Sequence, residues 1–419
     1  MNKYVILVNP ETTGLHLTEK IQDSGYLPVA AYTFDRKKWR KYQAEGELIC
    51  PDEFCVKEMF HAVYFSSRIS ALIRDLKSLD GLIAGVIPAS EPAVNNADII
   101  GKHLGVICNR PETISARRNK VDMKKAVRAA GLRTADYSSC KTTDDLRSFI
   151  NSNGFPIVLK IPDGQGTYQV HICNDEKDAA MRFHEIMNVK GLFDSHPGFV
   201  LAEDYIQGTE YAVNLLGLGA KTIVTDVWKY TKVQTEFGRN VYYSTVLETP
   251  PHDGLEDLTA YAIDLCKAVG IQYGPAHAEV KIDSKGPVMM EIAGRLAGTD
   301  IPLMASLASN IDILQKTIDV YTNHDVKLPD VIENHRHSGI AYCITCNQGT
   351  VKEIQGLDEI CRLPSYFNHS MRVQKNETIT PTTNLVNLPL VVRLLHSNRQ
   401  QVLDDIQYIH NNFVVHTGN

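Results

Sequence analysis

Two short runs around a polar turn, AHAEVKID (276–283) and VMMEI (288–292), hold the residues best placed to do chemistry in this chain. In the first run His277, Glu279 and Lys281 alternate with Ala276, Ala278, Val280 and Ile282, so a period of two sets the three polar groups on one face of a strand. If Asp283 to Pro287 form the loop, Ile282 pairs with Val288. The same register sets Glu279 opposite Glu291, with Cβ atoms about 5 Å apart, and His277 opposite Ala293. Facing carboxylates repel unless a proton or a cation lies between them. Oxygen donors suit Mg²⁺ carrying nucleotide phosphates. The competing reading is a polar hairpin whose acids pair with Lys281 and Arg295, and the hairpin alone does not decide between them.

Residues upstream bear on that choice. FPIVLK ends on Lys160 and leads into IPDGQGTYQVHIC, where Gly164, Gln165, Gly166 and Thr167 form a small loop between two strands. Glycines let backbone N–H groups approach phosphate oxygens, Thr167 adds a hydroxyl, and Lys160 can reach the same phosphates. An ordinary glycine hairpin turn is the plainer meaning. The loop is not a Walker A motif, because no G-K-[ST] opens a helix. Lys120 lies near a helix start beside Arg117 and Arg118, which on charge alone reads as a solvated basic helix end. In VLAEDYIQGTEYAV, Glu203 and Glu210 flank a strand bend with Ile206 between them. Such acids can accept hydrogen bonds from an adenine amino group and from ribose hydroxyls, or they can simply be solvated.

The elements that must position these groups follow from apolar patterning. YVILV (4–8), LPVAAYTF and GLIAGVIP alternate with helical stretches at Thr12–Ser24, Arg68–Leu79 and Ala97–Leu104, with VICN as a short further strand. That alternation predicts a small doubly wound parallel sheet. No G-x-G-x-x-G opens its first helix, so dinucleotide binding is not expected there. Helices are expected at 113–131, 142–150, 175–189, 256–269, about 311–322 and 399–410. Strands are expected at FPIVLK, YQVHIC, FVLAE, YAVNLLGL, IVTDVWKYTKV, RNVYYSTVLETP, GIAYCITC, VKEI, MRVQ and LPLVVRLLHS.

A chain of 419 residues exceeds the roughly 250–300 that one core supports, so two or three domains are expected. With 43% hydrophobic and 22% charged residues the composition is ordinary for a globular protein, and a net charge of −6 gives no basic stripe for nucleic acid. No apolar run approaches the roughly 20 residues of a membrane span, and MNKYVILVNP is too short in its apolar part for a signal-peptide core. Nine scattered cysteines, with only Cys343 and Cys346 spaced C-x-x-C, point to reduced thiols in the cytoplasm.

Taken in order, Lys120, Lys160, the Gly164–Thr167 loop, EDYIQGTE, HAEVK and MEIAGR resemble the ATP-grasp superfamily of carboxylate–amine ligases. GLIAGVIPASEPAVNNADIIGKHLG, SARRNKVDMKKAVRAAG and TDVWKYTKV make the chain most similar to the bacterial L-amino acid ligases, the dipeptide synthetases. The resemblance implies an α/β (α+β) ATP-grasp fold with an N-terminal Rossmann-like domain (1–112) and a small lobe carrying the glycine-loop lid (113–195). A large lobe with the Mg·ATP and substrate site (196–330) and a C-terminal mixed α/β subdomain (331–419) would follow. Lys120 and Lys160 would contact the nucleotide phosphates, and the loop with Gly164, Gly166 and Thr167 would close over them. Glu203 and the backbone near Ile206 would hold adenine, and Glu210 the ribose. Glu279 and Glu291 would hold Mg²⁺, for which Mn²⁺ can substitute. Arg295 would bind the transferred phosphoryl group or the acyl intermediate, with His277 near the carboxylate substrate and Lys160 assisting catalysis.

The implied activity is ATP-dependent joining of an amino-acid carboxylate to an amine through an acyl phosphate, with release of ADP and phosphate. The partners would be small molecules, with no nucleic acid and no membrane, and the family allows a homodimer. The alternatives are ligation of another small acid in secondary-metabolite, siderophore or nucleotide synthesis, and nucleotide binding without turnover. Two departures stand out. Ala293 occupies a position where the family often has Asn as a further metal ligand, and Ile161 intervenes where proline usually follows the strand lysine.

Overall fold

The apolar run at the N-terminus forms β1 (Asn2–Val8), buried from Tyr4 onward because helices and neighbouring strands cover both of its faces. With β2 (Leu27–Tyr32), β3 (Ala62–Phe65) and β4 (Gly81–Pro88) it makes an all-parallel sheet in the order β3-β2-β1-β4. The computed structural model describes residues 1–162, 164, 168–189, 191, 194, 196–235, 240–250 and 254–418. Gln165, Gly166, Thr167 and Arg239 lie outside the described residues. The sequence reading missed β3 and the helices Arg36–Ala44 and Glu53–Met59. VICN is not a strand: its backbone runs irregularly, and Asn109 instead bonds across to Gln272 and Tyr273.

A second sheet, in the order β5-β8-β6-β7, comprises β5 (Tyr137–Cys140), β6 (Ile157–Lys160), β7 (Val170–Cys173) and β8 (Val200–Asp204). Its own core includes Phe149, Leu159, Phe183 and Ala202. Ile161 belongs to that core, which accounts for the departure at this position: its side chain is buried where proline would present less apolar surface. A Cβ on Gly164 would meet Ile161 Cγ2 at 2.5 Å, so this packing itself requires glycine at 164.

The largest sheet runs β13-β12-β9-β10-β11-β14-β18-β16. It contains β9 (Thr209–Leu218), β10 (Thr222–Gln234), β11 (Asn240–Leu247), β12 (Tyr273–Asp283) and β13 (Gly286–Ala293). It continues unbroken into β14 (His337–Cys343), β16 (Tyr366–Met371) and β18 (Leu390–His396). β15 (Gly349–Gln355), β17 (Thr378–Ile379) and β19 (Val414–Gly418) form a small sheet beside it. Of MRVQ, only Met371 lies in a strand. Ala276, Ala278 and Val280 of β12 pack on Leu265 and Val269 of helix Glu256–Val269 and on Met123 and Val127 of helix Lys120–Ala129. Burying that apolar face leaves the alternate residues of β12 on the opposite one. The stretch 113–131 is not one helix. A 3-10 turn, Pro111–Arg117, precedes it, and Asn119 caps the true helix by accepting from Val121 N and Asp122 N. A cap of this kind is worth about 1 kcal/mol, and here it fixes Lys120 as the first helical residue.

Among the described residues no helix is long and apolar enough to cross a membrane, and no disulfide joins the nine cysteines.

Candidate active site

The polar face of the large sheet is built as rows of directly paired residues. One row reads Trp228, Ala212, Glu279, Glu291 across β10, β9, β12 and β13. The next reads Asp226, Asn214, His277, Ala293. The expected pairings of Glu279 with Glu291 and of His277 with Ala293 are both present, although the loop differs from the expected one. Asp283 pairs with Gly286, Ile282 with Pro287 and Lys281 with Val288, which would misalign the acids by one residue. A β-bulge after Glu279, with Met290 as the extra residue, restores the register. Gly286, at φ 101°, supplies the backbone conformation that the tight turn needs.

Glu279 accepts from Tyr242 Oη at 3.2 Å and lies 3.6 Å from His277 Nε2. Burial pushes its carboxyl upward, but the His277 contact and the Lys232 charge outweigh burial and hold it at about 2. Glu291 points instead at Lys120, whose Nζ lies 3.0 Å from Oε1 and donates to Gly164 O at 2.8 Å. Lys120 is buried and is not the solvated helix start that its charge alone suggests. Among the described residues no three His, Cys, Asp or Glu side chains converge as a ready metal cluster. The donors are two carboxylates at one cross-strand position, with Glu279 held ionised. That set fits a hard divalent cation whose remaining ligands arrive with a phosphorylated substrate.

Glu203 and Glu210 are also buried, so neither is a solvated acid beside a bend. Lys160 Nζ and Lys124 Nζ both meet Glu203 Oε1, at 2.8 and 3.1 Å. Burial raises the Glu203 carboxyl, but the two lysines outweigh it and leave it lowered. Burial drives Lys124 down to about 8 against the opposing pull of Glu203. Lys232 Nζ lies 2.5 Å from Glu210, with Lys281 Nζ at 4.0 Å. Lys281 also donates to Ile206 O at 3.0 Å, tying β12 to the bend expected to meet adenine.

Arg295, which follows β13, is bound by a residue of the N-terminal domain. Its Nε donates to Glu91 Oε2 at 2.6 Å, and Arg118 NH1 reaches Glu91 Oε1 at 3.2 Å. Burial opposes ionisation of Glu91, but Arg295, Arg118 and Lys120 outweigh it and lower its carboxyl. Glu11, buried nearby, is pushed up to about 7 by burial despite donors at Ile49 N and Ser90.

The structure therefore brings Lys120, Gly164 and Glu291 together, Lys160 with Glu203, and His277 with Glu279. Arg295 is held from the far side by Glu91. Gly166 and Thr167 lie outside the described residues. Sequence reasoning missed Lys124, Glu91, Asn214 and Asp226 as candidate site residues. Lys124 carried a usable signal: it is four residues after Lys120, on the helix stripe that holds Met123 and Val127. Glu91 carried none, because its partners are 27 and 204 residues away.

Residues 153–302 match the ATP-grasp domain family, so the chain carries an ATP-grasp domain. It is 24% identical over 402 residues to dapdiamide A synthase of Enterobacter agglomerans, covering 94% of this chain and 92% of that one. It is 21% identical over 303 residues to the L-arginine-specific L-amino acid ligase of Bacillus subtilis, covering 70% of each. Among solved structures, an L-amino acid ligase from Bacillus licheniformis superposes with a TM-score of 0.80 at 16% identity, covering 100% of this chain and 99% of that one.

Proposed function

Taking the chain as an ATP-grasp ligase, we propose that it joins the carboxylate of an amino acid to an amine, forming an amide through an acyl phosphate and releasing ADP and phosphate. The observation that carries this reading is Lys120, which bridges Gly164 O of the glycine loop to Glu291 of the acidic hairpin. One side chain thus links the expected phosphate cradle to the expected metal seat.

A carboxylate resists attack by an amine because its leaving group would be oxide or hydroxide. Phosphorylation replaces that with phosphate. The γ-phosphoryl transfer needs its oxygens neutralised and aligned, which is the task of Lys120, Lys160 and Arg295. A divalent cation held by Glu279 and Glu291 would add charge neutralisation on the phosphates. ATP entry exchanges partners: Lys160 leaves Glu203 for a phosphate, and Glu203 turns to the adenine amino group. Arg295 reaches the transferred phosphoryl group, and Glu91 keeps its guanidinium in place. Glu210 takes the ribose hydroxyls. The acyl phosphate must also be kept from water, the role expected of the glycine loop from the sequence.

The test is a phosphate-release screen over all pairs of amino acids, with products identified by mass. Phosphate and ADP together with a dipeptide support the reading, and AMP with pyrophosphate sinks it. A blank for every α-amino acid moves the assignment to another small carboxylate. Ala293, which stands where a further metal ligand is expected, favours one further reading, nucleotide binding without ligation. Slow ATP hydrolysis unaffected by any acid–amine pair would select it.

A further inference from the structure

The row beside the paired acids contains a hydrogen-bond chain to which the mechanism above gives no role. His277 Nδ1 lies 2.8 Å from Asn214 Oδ1. The Asn214 side-chain amide donates to Asp226 Oδ1, which also accepts from the Trp228 indole at 2.6 Å. Asp226 Oδ2 accepts from the Thr225 hydroxyl at 2.8 Å. All five side chains reach one another because a bulge in β10 at Thr225 brings Asp226 level with Asn214, and Asn214 is level with His277. Asp226 and Trp228 are essentially inaccessible to water.

The polarity of this chain is fixed at its far end. An indole N–H can only donate and an ionised carboxylate can only accept, so with Asp226 ionised its Oδ1 accepts from both Trp228 and Asn214. Asn214 must then present its NH₂ to Asp226 and its carbonyl oxygen to His277. An oxygen there can only accept, so His277 Nδ1 carries a proton in either charge state of the ring. The other ring nitrogen, Nε2, is the one facing Glu279 at 3.6 Å, beside Ala293.

We propose that Trp228, Asp226 and Asn214 are positioning residues that lock His277 as its Nδ1–H tautomer and present Nε2 as the working nitrogen toward Glu279 and the reacting groups. The part concerning the reacting groups rests on the ligase reading. The tautomer does not. On the ligase reading, Nε2 is the ring atom that hydrogen-bonds to the reacting groups.

Two measurements test the proposal. Long-range ¹H–¹⁵N spectra of the ligand-free, ¹⁵N-histidine-labelled protein, with the ring neutral, are expected to show His277 protonated at Nδ1. Asp226→Asn, whose Oδ1 still accepts from Trp228, should preserve that signature, and Asn214→Leu should abolish the preference. A proton on Nε2 in the unmodified protein, or an Asn214→Leu spectrum unchanged, overturns the assignment. This arm needs no turnover, so it survives failure of the ligase reading. The second arm compares His277→Gln, whose amide reaches the place of Nε2, with His277→Asn, whose amide reaches only that of Nδ1. The expected result is a kcat about tenfold higher for Gln than for Asn, with KM for ATP alike in both. Equal values, or the reverse order, overturn the role given to Nε2. This comparison stands even if Asn214→Leu fails to fold.

Discussion

The acidic hairpin and the lysine cluster on Glu203 face the same expected nucleotide but are organised in opposite ways. In the hairpin, two acids share one cross-strand position, and the lysine charges around them, Lys120 and Lys232, come from outside the hairpin. Glu291 has Lys120, while Glu279 has Tyr242 and His277. In the Glu203 cluster, two buried lysines crowd a single carboxylate oxygen. One region is short of cations and the other has a surplus. Under the proposed function, ATP with a divalent cation would correct both at once, its phosphates taking up a lysine and its metal serving the acids. The difference teaches that the site holds its charges as ion pairs that substrate binding would exchange.

Breaking the hairpin should have the largest effect. Glu279→Gln, which keeps the Tyr242 contact, should lower kcat/KM about 10³-fold in the phosphate-release assay with little change in folding. A variant within tenfold of the original would remove Glu279 from the metal seat.

The lysine cluster should respond in stability. Glu203→Gln leaves Lys124 and Lys160 without their shared charge, and urea denaturation of the nucleotide-free protein should show a loss of about 3–5 kcal/mol. A loss below 1 kcal/mol would mean that the two lysines find other partners.

Glu11 sharpens the contrast, because it is an acid near the site that burial rather than pairing controls. Its carboxyl is raised from 4.5 to about 7. The folded state therefore holds its proton more tightly than the unfolded state. Its contribution to stability is fully present below pH 4.5 and is lost as pH rises through about 7. Glu11→Gln should thus stabilise the protein at pH 8 by up to about 3 kcal/mol and leave it unchanged near pH 4. Denaturation curves at the two pH values check both the sign and the window.

The smallest effect should come from Ala293→Asn, which returns an oxygen ligand beside the paired acids. The Mg²⁺ concentration for half-maximal activity should fall about fivefold, near 1 kcal/mol. An unchanged Mg²⁺ dependence would count against a missing metal ligand at this position.

Much of this molecule was legible because its signals are local. Alternation in AHAEVKID and VMMEI placed Glu279 opposite Glu291, the all-apolar YVILV and GLIAGVIP predicted the parallel sheet, and the motif order predicted the ATP-grasp fold. Short-range geometry also explains the errors. The turn proved tighter than expected, and a bulge at Met290 compensated, because pairing two acids on one face depends on side-chain direction rather than loop length. VICN looked like a strand from its composition, but it joins no sheet, and Asn109 bonds to the backbone of Gln272 and Tyr273 instead.

What the sequence determined by itself is the set of chemical groups and the faces they occupy, since periodicity fixes which side chains share a side of a strand or helix. Only the tertiary structure decided their partners. Glu91 meets Arg295 across 204 residues, and Lys124 and Lys160 meet on Glu203 across 79 and 43. The Trp228–Asp226–Asn214–His277 chain exists only because three strands lie side by side in register. Charge and hydrogen-bond direction depend on distance in space, and no spacing along the chain encodes that until the sheet has formed.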